Sequence, residues 1–393
     1  MKNPFNARAP SFGAAAININ ATIKRALAAA GLDTQTGLMH EVTETVRRAL
    51  AGGRLAPRSS SVTDAAVIDV AARVVPGDED ADLARARAPS GRATRQPPGS
   101  FEAHDFSNAA GSRAYKLYVP AGKPVAPRPL VVMLHGCTQS ADDFAAGTQM
   151  NKLADEQGCL VLYPEQSAQA NTSKCWNWFK PQDQERGAGE PALLAGIVGE
   201  VARRHGVDPR RIFVAGLSAG AAMAVVLGET YPELFAGVGA HSGLPYGSAH
   251  DIPSALSAMK GGRGAMSGMA GMTKVRPAKK AQQAVPIIVF HGDRDHTVQQ
   301  SNGAQIVRQA SEAHGALAVI STQTGKSSGG RQYSRSVHAD ASGQPLIESW
   351  TLHGAGHAWS GGHASGSYTD GHGPDASAEM LRFFMALPRA SSA

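Results

Sequence analysis

From residue 101 onward, short apolar runs rich in β-branched residues alternate with longer stretches whose apolar positions fall three or four apart. The runs are "RPLVVMLHG", "GCLVLYPE", "RIFVAG", "FAGVGAHSG", "VPIIVFHG" and "IESWTLHG". Between them lie helix-length segments such as "DDFAAGTQMNKLADEQG" and "PALLAGIVGEVARRHGV". Apolar strands alternating with helices predict an α/β domain over 101–393, with a mostly parallel sheet covered by helices on both faces. "RAYKLYVP" alternates apolar and polar residues as an edge strand does, and "ALAVISTQTGKSSGGRQYSRSVHAD" reads as a β-hairpin with a Gly/Ser tip. Residues 1–100 differ in kind. "ATIKRALAAAGL" and "MHEVTETVRRALAGG" are short amphipathic helices, and from about residue 54 to residue 100 Pro, Gly, Ser and charged residues dominate. The expectation for 1–100 is a partly helical, partly disordered extension that is either inert or a docking element. Residues 254–280 are dense in Gly and Met, the makings of a surface loop or of a flap over an apolar site.

Composition narrows this picture only a little. The 393 residues are 42% hydrophobic and 18% charged, as in soluble globular proteins, and the net charge of +6 sits mostly in the first hundred residues. Without Lys/Arg clusters interleaved with aromatics, nucleic acid is not an expected partner. No run has the apolar length of a transmembrane segment. The start, "MKNPFNARAPSFGAAAININATIKR", makes a poor export signal because Asn18 and Asn20 interrupt its apolar run. The expectation is therefore a cytoplasmic protein, with an extracellular one as the alternative. Cys137, Cys159 and Cys175 form no disulfide framework by count or spacing.

Chemistry concentrates around two copies of Gly-x-Ser-x-Gly, "GLSAG" at 216–220 and "GKSSG" at 325–329. A serine hydroxyl attacks a carbonyl when a sharp strand-to-helix turn exposes it and a base serves it. Ser218 follows the strand "IFVA" and precedes the helical "AAMAVVLGET", whereas Ser327 sits in a hairpin tip. Ser218 is the candidate nucleophile. An acid and then a histidine should come later in the chain, each past a strand end. "HGDRDHTV" offers Asp293 or Asp295, and "HGAGHAWSGG" offers His353 or His357. The N–H groups of Ala219 and, after the strand "LVVML", of Cys137 would hold an oxyanion. A metal site at His353, His357, His363 and His372 is the weaker reading, because the spacing is Gly-rich loop without zinc-like ligand spacing.

Together, "LHGCTQSADDFAAGTQMNKLADEQGCLVLYPEQ", "CWNWF", "GLSAGAAMAVVLGETYPELFAGVGAHSGLPYG", "HGDRDHTV", "GAGHAWSGG" and "DGHGPDASAEMLRFFM" resemble the poly(3-hydroxybutyrate) depolymerase-type esterases, a branch of the α/β-hydrolases. The resemblance spans roughly 110–388. It implies a Ser218–His357–Asp295 triad, favouring Asp295 because it ends Gly-x-x-Asp, and it supports Cys137 and Ala219 as the oxyanion hole. It further implies that Trp176, Trp178 and Trp359 wall an acyl-chain site, with core packing as the alternative for each, and that Cys137 and Cys175 pair as a disulfide, leaving Cys159 free. The implied activity is ester hydrolysis of short-chain 3-hydroxyacyl polymers, without cofactor or metal, with storage granules as a candidate surface partner. The alternatives are a feruloyl or acetyl-xylan esterase using the same triad, and a non-catalytic granule-binding protein.

Overall fold

The computed structural model of the protein describes residues 99–122, 127–261 and 284–388. Of the partly helical, partly disordered extension expected over 1–100, residues 1–98 lie outside the described residues, as does most of the Gly/Met-rich segment.

Ten strands form one sheet among the described residues: β1 (Ser100–Asn108), β2 (Gly111–Val119), β3 (Arg128–Leu134), β4 (Leu160–Pro164), β5 (Val207–Leu217), β6 (Gly237–His241), β7 (Ile287–Gly292), β8 (Ala318–Lys326), β9 (Gln332–Ala339) and β10 (Pro345–Leu352). Their order is β1-β2-β4-β3-β5-β6-β7-β10-β9-β8. From β4 to β10 in that order the pairing is parallel, and both margins are antiparallel.

Alternation within the strands divides the core in two. Leu130, Val132 and Leu134 of β3 join one cluster with α3 (Gly189–His205), α4 (Ala219–Thr230) and α6 (Ser301–His314), while Val131 and Met133 join the other with α1 (Ala141–Thr148), α2 (Met150–Gln157) and α7 (Ala376–Ala386). Helices on both faces explain why the parallel strands read as continuous apolar runs. The α4 helix is buried from Ala219 through Gly228, which accounts for its apolar character all round. A short helix, α5 (Ile252–Met259), opens on a capping box between Asp251 and Ser254.

Three local readings change. "RAYKLYVP" is β2, one position in from the edge, because β1 pairs outside it. The β1 sequence SFEAHDFSN is mostly exposed or half-buried and lacks the apolar alternation that announces a strand. The single helix expected over 142–158 breaks at Gln149, whose left-handed φ of 55° ends α1 and starts α2. The hairpin is present as β8 and β9, with β8 at the sheet edge.

Candidate active site

Ser218 joins β5 to α4 with φ 58° and ψ −119°, a backbone conformation that side chains avoid. Such strain costs on the order of 1–3 kcal/mol and persists where surrounding structure imposes it. Here close backbone packing imposes it. A Cβ at Gly216 would lie 2.4 Å from the carbonyl carbon of Gly220, and one at Gly220 would lie 2.1 Å from the Leu134 oxygen. Both outer residues of the motif are therefore glycine because main chains touch there. The Ser218 N–H donates to the His241 carbonyl at 2.9 Å, which locks the turn to the end of β6.

The same close approach sets the loop after β3 against the start of α4. At that meeting point the N–H groups of Ala219 and Cys137 have no acceptor among the described residues. His135 determines where the second of these points. Its Nε2 accepts from the Gln166 N–H at 3.0 Å, so its proton is on Nδ1, which donates to the Gly136 carbonyl at 2.7 Å. Because the peptide is planar and trans, pinning the Gly136 C=O aims the Cys137 N–H the opposite way. Burial pushes the His135 pKa down and keeps the ring neutral, as both hydrogen bonds require.

Past β7 and β10, the two aspartates and two histidines sort into two pairs. Asp295 Oδ2 lies 2.7 Å from His357 Nδ1, with side chains 0% and 11% exposed. Asp293 Oδ2 lies 3.0 Å from His353 Nδ1, with side chains 31% and 40% exposed. The second pair is extended by Ser334 Oγ, 2.8 Å from His353 Nε2, so the molecule contains a second Ser/His/Asp string. Ser334 is paired within the ladder on both sides, opposite Thr351 and Thr324. It has neither a turn nor free N–H donors beside it, and a tetrahedral oxyanion would have no stabiliser there.

Asp295 is fixed as an ion. Burial alone would raise its carboxyl, but the His357 hydrogen bond and charge, the Val298 N–H and His291 outweigh it and hold it below the usual carboxylate range. Its Oδ1 accepts from the N–H groups of Thr297 and Val298 at 2.9 and 2.8 Å. His291, at the end of β7, steadies the same turn with its Nε2 2.8 Å from the Val298 carbonyl.

The Ser218 hydroxyl makes no hydrogen bond among the described residues. What registers Ser218 to the His357 loop is His241, the last residue of β6. Its carbonyl takes the Ser218 N–H, and its Nε2 accepts the Ser360 N–H at 3.0 Å. The ring stacks between Trp359 and Phe290, with centroids 5.2 and 5.8 Å away. Burial first, then nearby His291 and His357, lower its pKa to about 3, so it stays neutral. The remaining C-terminal histidines have separate partners, His363 with Ser365 and His372 with Asp370.

The family model described as "Esterase PHB depolymerase" matches residues 113–332, more than half of the chain. The chain belongs to this PHB depolymerase esterase family. Poly(3-hydroxyalkanoate) depolymerase C of Paucimonas lemoignei is 35% identical over 254 residues, covering 64% of this chain and 60% of the relative. The chain thus spans only about three fifths of that protein's length. Feruloyl esterase B of Neurospora crassa is 34% identical over 144 residues, 36% of this chain and 47% of the relative. Among solved structures, an acetyl xylan esterase from Aspergillus awamori superposes with a TM-score of 0.56 at 20% identity, over 72% of this chain and 99% of that one. That likeness shows the α/β-hydrolase fold.

Two expectations drawn from the PHB depolymerase family meet different outcomes in the structure. Cys137 and Cys175 are bonded as a disulfide, and Cys159 is free and buried. The tryptophans, in contrast, are buried in the core, with little surface left to offer an acyl chain. Trp176 sends its indole N–H to the His135 carbonyl at 3.1 Å, and Trp359 sends its own to Ser377 Oγ at 3.0 Å. Trp178 is buried edge-on against Phe179. Indole N–H groups seek buried acceptors, and those acceptors draw these rings inward.

"CWNWF" is held as a brace for the loop after β3. Glu190, in the first turn of α3, accepts from the Asn177 N–H at 2.7 Å and Asn177 Nδ2 at 2.8 Å, and Gln166 donates to it as well. Burial, then Asp183, pushes the Glu190 pKa up despite Arg113 at 3.7 Å. Sequence reasoning passed over His135, His241, His291 and Glu190. The three histidines did carry a signal, since each ends an apolar strand run that points into the site.

Proposed function

We propose that the protein is a serine esterase that hydrolyses esters of short-chain 3-hydroxyacyl polymers or oligomers. The observation that carries this reading is the buried Asp295–His357 pair, registered through His241 to a strained serine turn with two uncommitted N–H groups beside it. An ionised Asp295 accepts only, so the proton of neutral His357 is on Nδ1 and Nε2 carries the lone pair. Ser218 Oγ attacks the ester carbonyl as His357 Nε2 takes its proton. Asp295 stabilises the imidazolium, and the N–H groups of Ala219 and Cys137 receive the oxyanion, each worth roughly 3 kcal/mol. His357 then protonates the departing alkoxide. Water, deprotonated in turn by His357, releases the acid from Ser218. The chemistry uses side chains and backbone of this chain alone.

Polyester is favoured as substrate by the longer alignment with the Paucimonas lemoignei depolymerase. The shorter alignment with feruloyl esterase B supports a second reading, a polysaccharide-linked ester cleaved by the same residues. Acid release from amorphous poly(3-hydroxybutyrate) granules, run beside methyl ferulate and p-nitrophenyl butyrate, separates the two. Polymer hydrolysis abolished in Ser218→Ala is the expected result. Cleavage of methyl ferulate alone would move the substrate to the second reading, and a fully active Ser218→Ala would end both. Granule binding without hydrolysis would leave only a binding role. The Cys137–Cys175 bridge supports an oxidising compartment, hence extracellular placement over the cytoplasmic one; peptide mapping without reductant tests it.

A further inference from the structure

With the tryptophans in the core, the proposed site needs another surface to hold the chain of its ester. Tyr368 is the one Phe, Tyr or Trp side chain exposed among the described residues, at 49%. It stands between the two loops that carry the proposed chemistry. On one side its carbonyl accepts from the Trp359 N–H at 2.7 Å, two residues beyond His357. On the other its hydroxyl is 3.4 Å from Oγ1 of Thr138, the neighbour of Cys137. Thr138 Oγ1 already donates its only proton to the Cys137 carbonyl at 2.6 Å. Tyr368 is therefore the donor of the longer bond.

The backbone of Tyr368 is held in an unfavourable state, with φ 51°. A bulky residue adopts this left-handed region only when its surroundings compel it. The neighbours of Tyr368 do so on both sides. Asp143 of α1 accepts from the Ser367 N–H at 2.8 Å and from Ser367 Oγ at 2.5 Å. Gln139 Nε2 donates to the Ser367 carbonyl at 3.1 Å and to Asp143 Oδ2 at 2.9 Å. Thr369 pairs with Trp359 in a short two-stranded ladder. The chain on either side of Tyr368 is thus pinned, and the strained residue keeps its ring in water. A loop that spends this much ordering on an exposed ring at a site's mouth is built for contact.

We propose that Tyr368 is a substrate-contact residue, whose ring supports the part of the ester chain leading away from the scissile carbonyl. The inference rests on the esterase reading above. A rigid aromatic face with its hydroxyl tied back to Thr138 suits a chain of alternating methyl-bearing carbons and ester groups. Being outside the proton path and the oxyanion donors, it sets affinity and chain-length preference more than the chemical step.

Tyr368→Ala and Tyr368→Phe are compared with wild type on p-nitrophenyl acetate, butyrate and hexanoate and on soluble 3-hydroxybutyrate oligomers, with circular dichroism and Tm as checks on folding. Tyr368→Ala should keep kcat on the acetate ester within about twofold while KM on the longest cleaved substrate rises roughly tenfold. Tyr368→Phe should hold KM near wild type. An equal fall of kcat on every ester in Tyr368→Ala would make the residue a prop for the oxyanion loop and overturn the proposal. So would a Phe variant matching the Ala variant, which would assign the effect to the Thr138 bond, or a KM unchanged by either. If wild type cleaves the aryl esters and no oligomer, the polyester reading fails separately, and KM on the hexanoate ester still decides the role of Tyr368.

Discussion

Replacing Asp295 with asparagine changes one atom and tests the proton logic of the site. The structure fixes which way the amide must face. Oδ1 accepts two backbone N–H groups, from Thr297 and Val298, so the amide oxygen is held there. The NH2 group is left facing His357 Nδ1, where the carboxylate stood at 2.7 Å. A donor in that position selects the tautomer with its proton on Nε2, and that nitrogen can no longer take a proton from Ser218. The corresponding substitution in a serine protease lowers kcat about 10⁴-fold, and a loss of 10³–10⁴-fold is expected here, about 4–5.5 kcal/mol of barrier. Asp293→Asn is the matched control. It alters a pair 31% and 40% exposed and should leave kcat within about threefold. Initial rates of p-nitrophenyl butyrate hydrolysis, with Tm to verify folding, give both values. An Asp295→Asn loss under tenfold, or an Asp293→Asn loss of equal size, would refute the assignment of acid and base.

The buried scaffold carries further consequences. His241→Phe keeps a stacking ring and orphans the buried Ser360 N–H, so stability should fall by about 1–3 kcal/mol and kcat on p-nitrophenyl butyrate at least tenfold, whereas His241→Gln, which retains an acceptor, should recover much of both. An unaltered kcat in His241→Phe would remove this residue from the positioning of the His357 loop. His135, His241 and His291 all have folded pKa values below the unfolded one, so the unfolded chain binds more protons. Their contribution to stability is complete above about pH 6.5 and shrinks as pH falls toward the folded values, by at most about 1.4 kcal/mol per pH unit for each group; urea midpoints from pH 8 to 5 should show it, and a flat profile would contradict it. The Asp295 contribution lies lower, complete above about pH 4 and lost as pH falls through its depressed folded value. Finally, Cys175→Ser opens a loop closed across a 38-residue separation and should cost roughly 3–4 kcal/mol, with a fall in kcat if the Cys137 N–H is the oxyanion donor proposed above; an undiminished Tm would argue that the bridge adds nothing.

Much of the fold was legible because the central strands are buried on both faces and so appear as unbroken apolar runs. The margins were not. β1 is mostly exposed or half-buried, and no periodicity in SFEAHDFSN distinguishes it from a loop. In the candidate site, the turn at Ser218 was legible because its glycines answer to backbone contact, a constraint that leaves a local mark. The choice between Asp293 and Asp295 left a fainter mark, the Gly-x-x-Asp pattern that ends at Asp295 and carries weight only through the family resemblance. Both follow the same strand, and in the structure the partner across 62 or 60 residues separates them. The burial of Trp176 and Trp359 was not legible because sequence gives an aromatic's presence and not the direction of its N–H, which here points to His135 and Ser377.

The two Ser/His/Asp strings differ in what the proposed reaction asks of a triad. Ser334, His353 and Asp293 have the more complete geometry, with both links closed. Yet Ser334 has its neighbours committed to strand pairing, and its histidine and acid are open to water, where the charge that develops on an imidazolium is already solvated. Ser218 has no closed link to its proposed base at rest. It has instead a strained turn, a helix start, two spare N–H donors and a buried acid whose ionisation is held by fixed dipoles. Catalysis depends on stabilising charge that appears only in the transition state, so preorganised donors and a dry acid outweigh a short ground-state contact. On that argument Ser334→Ala should leave ester hydrolysis intact while Ser218→Ala abolishes it, and the reverse result would mean that the completed hydrogen-bond string was the better guide.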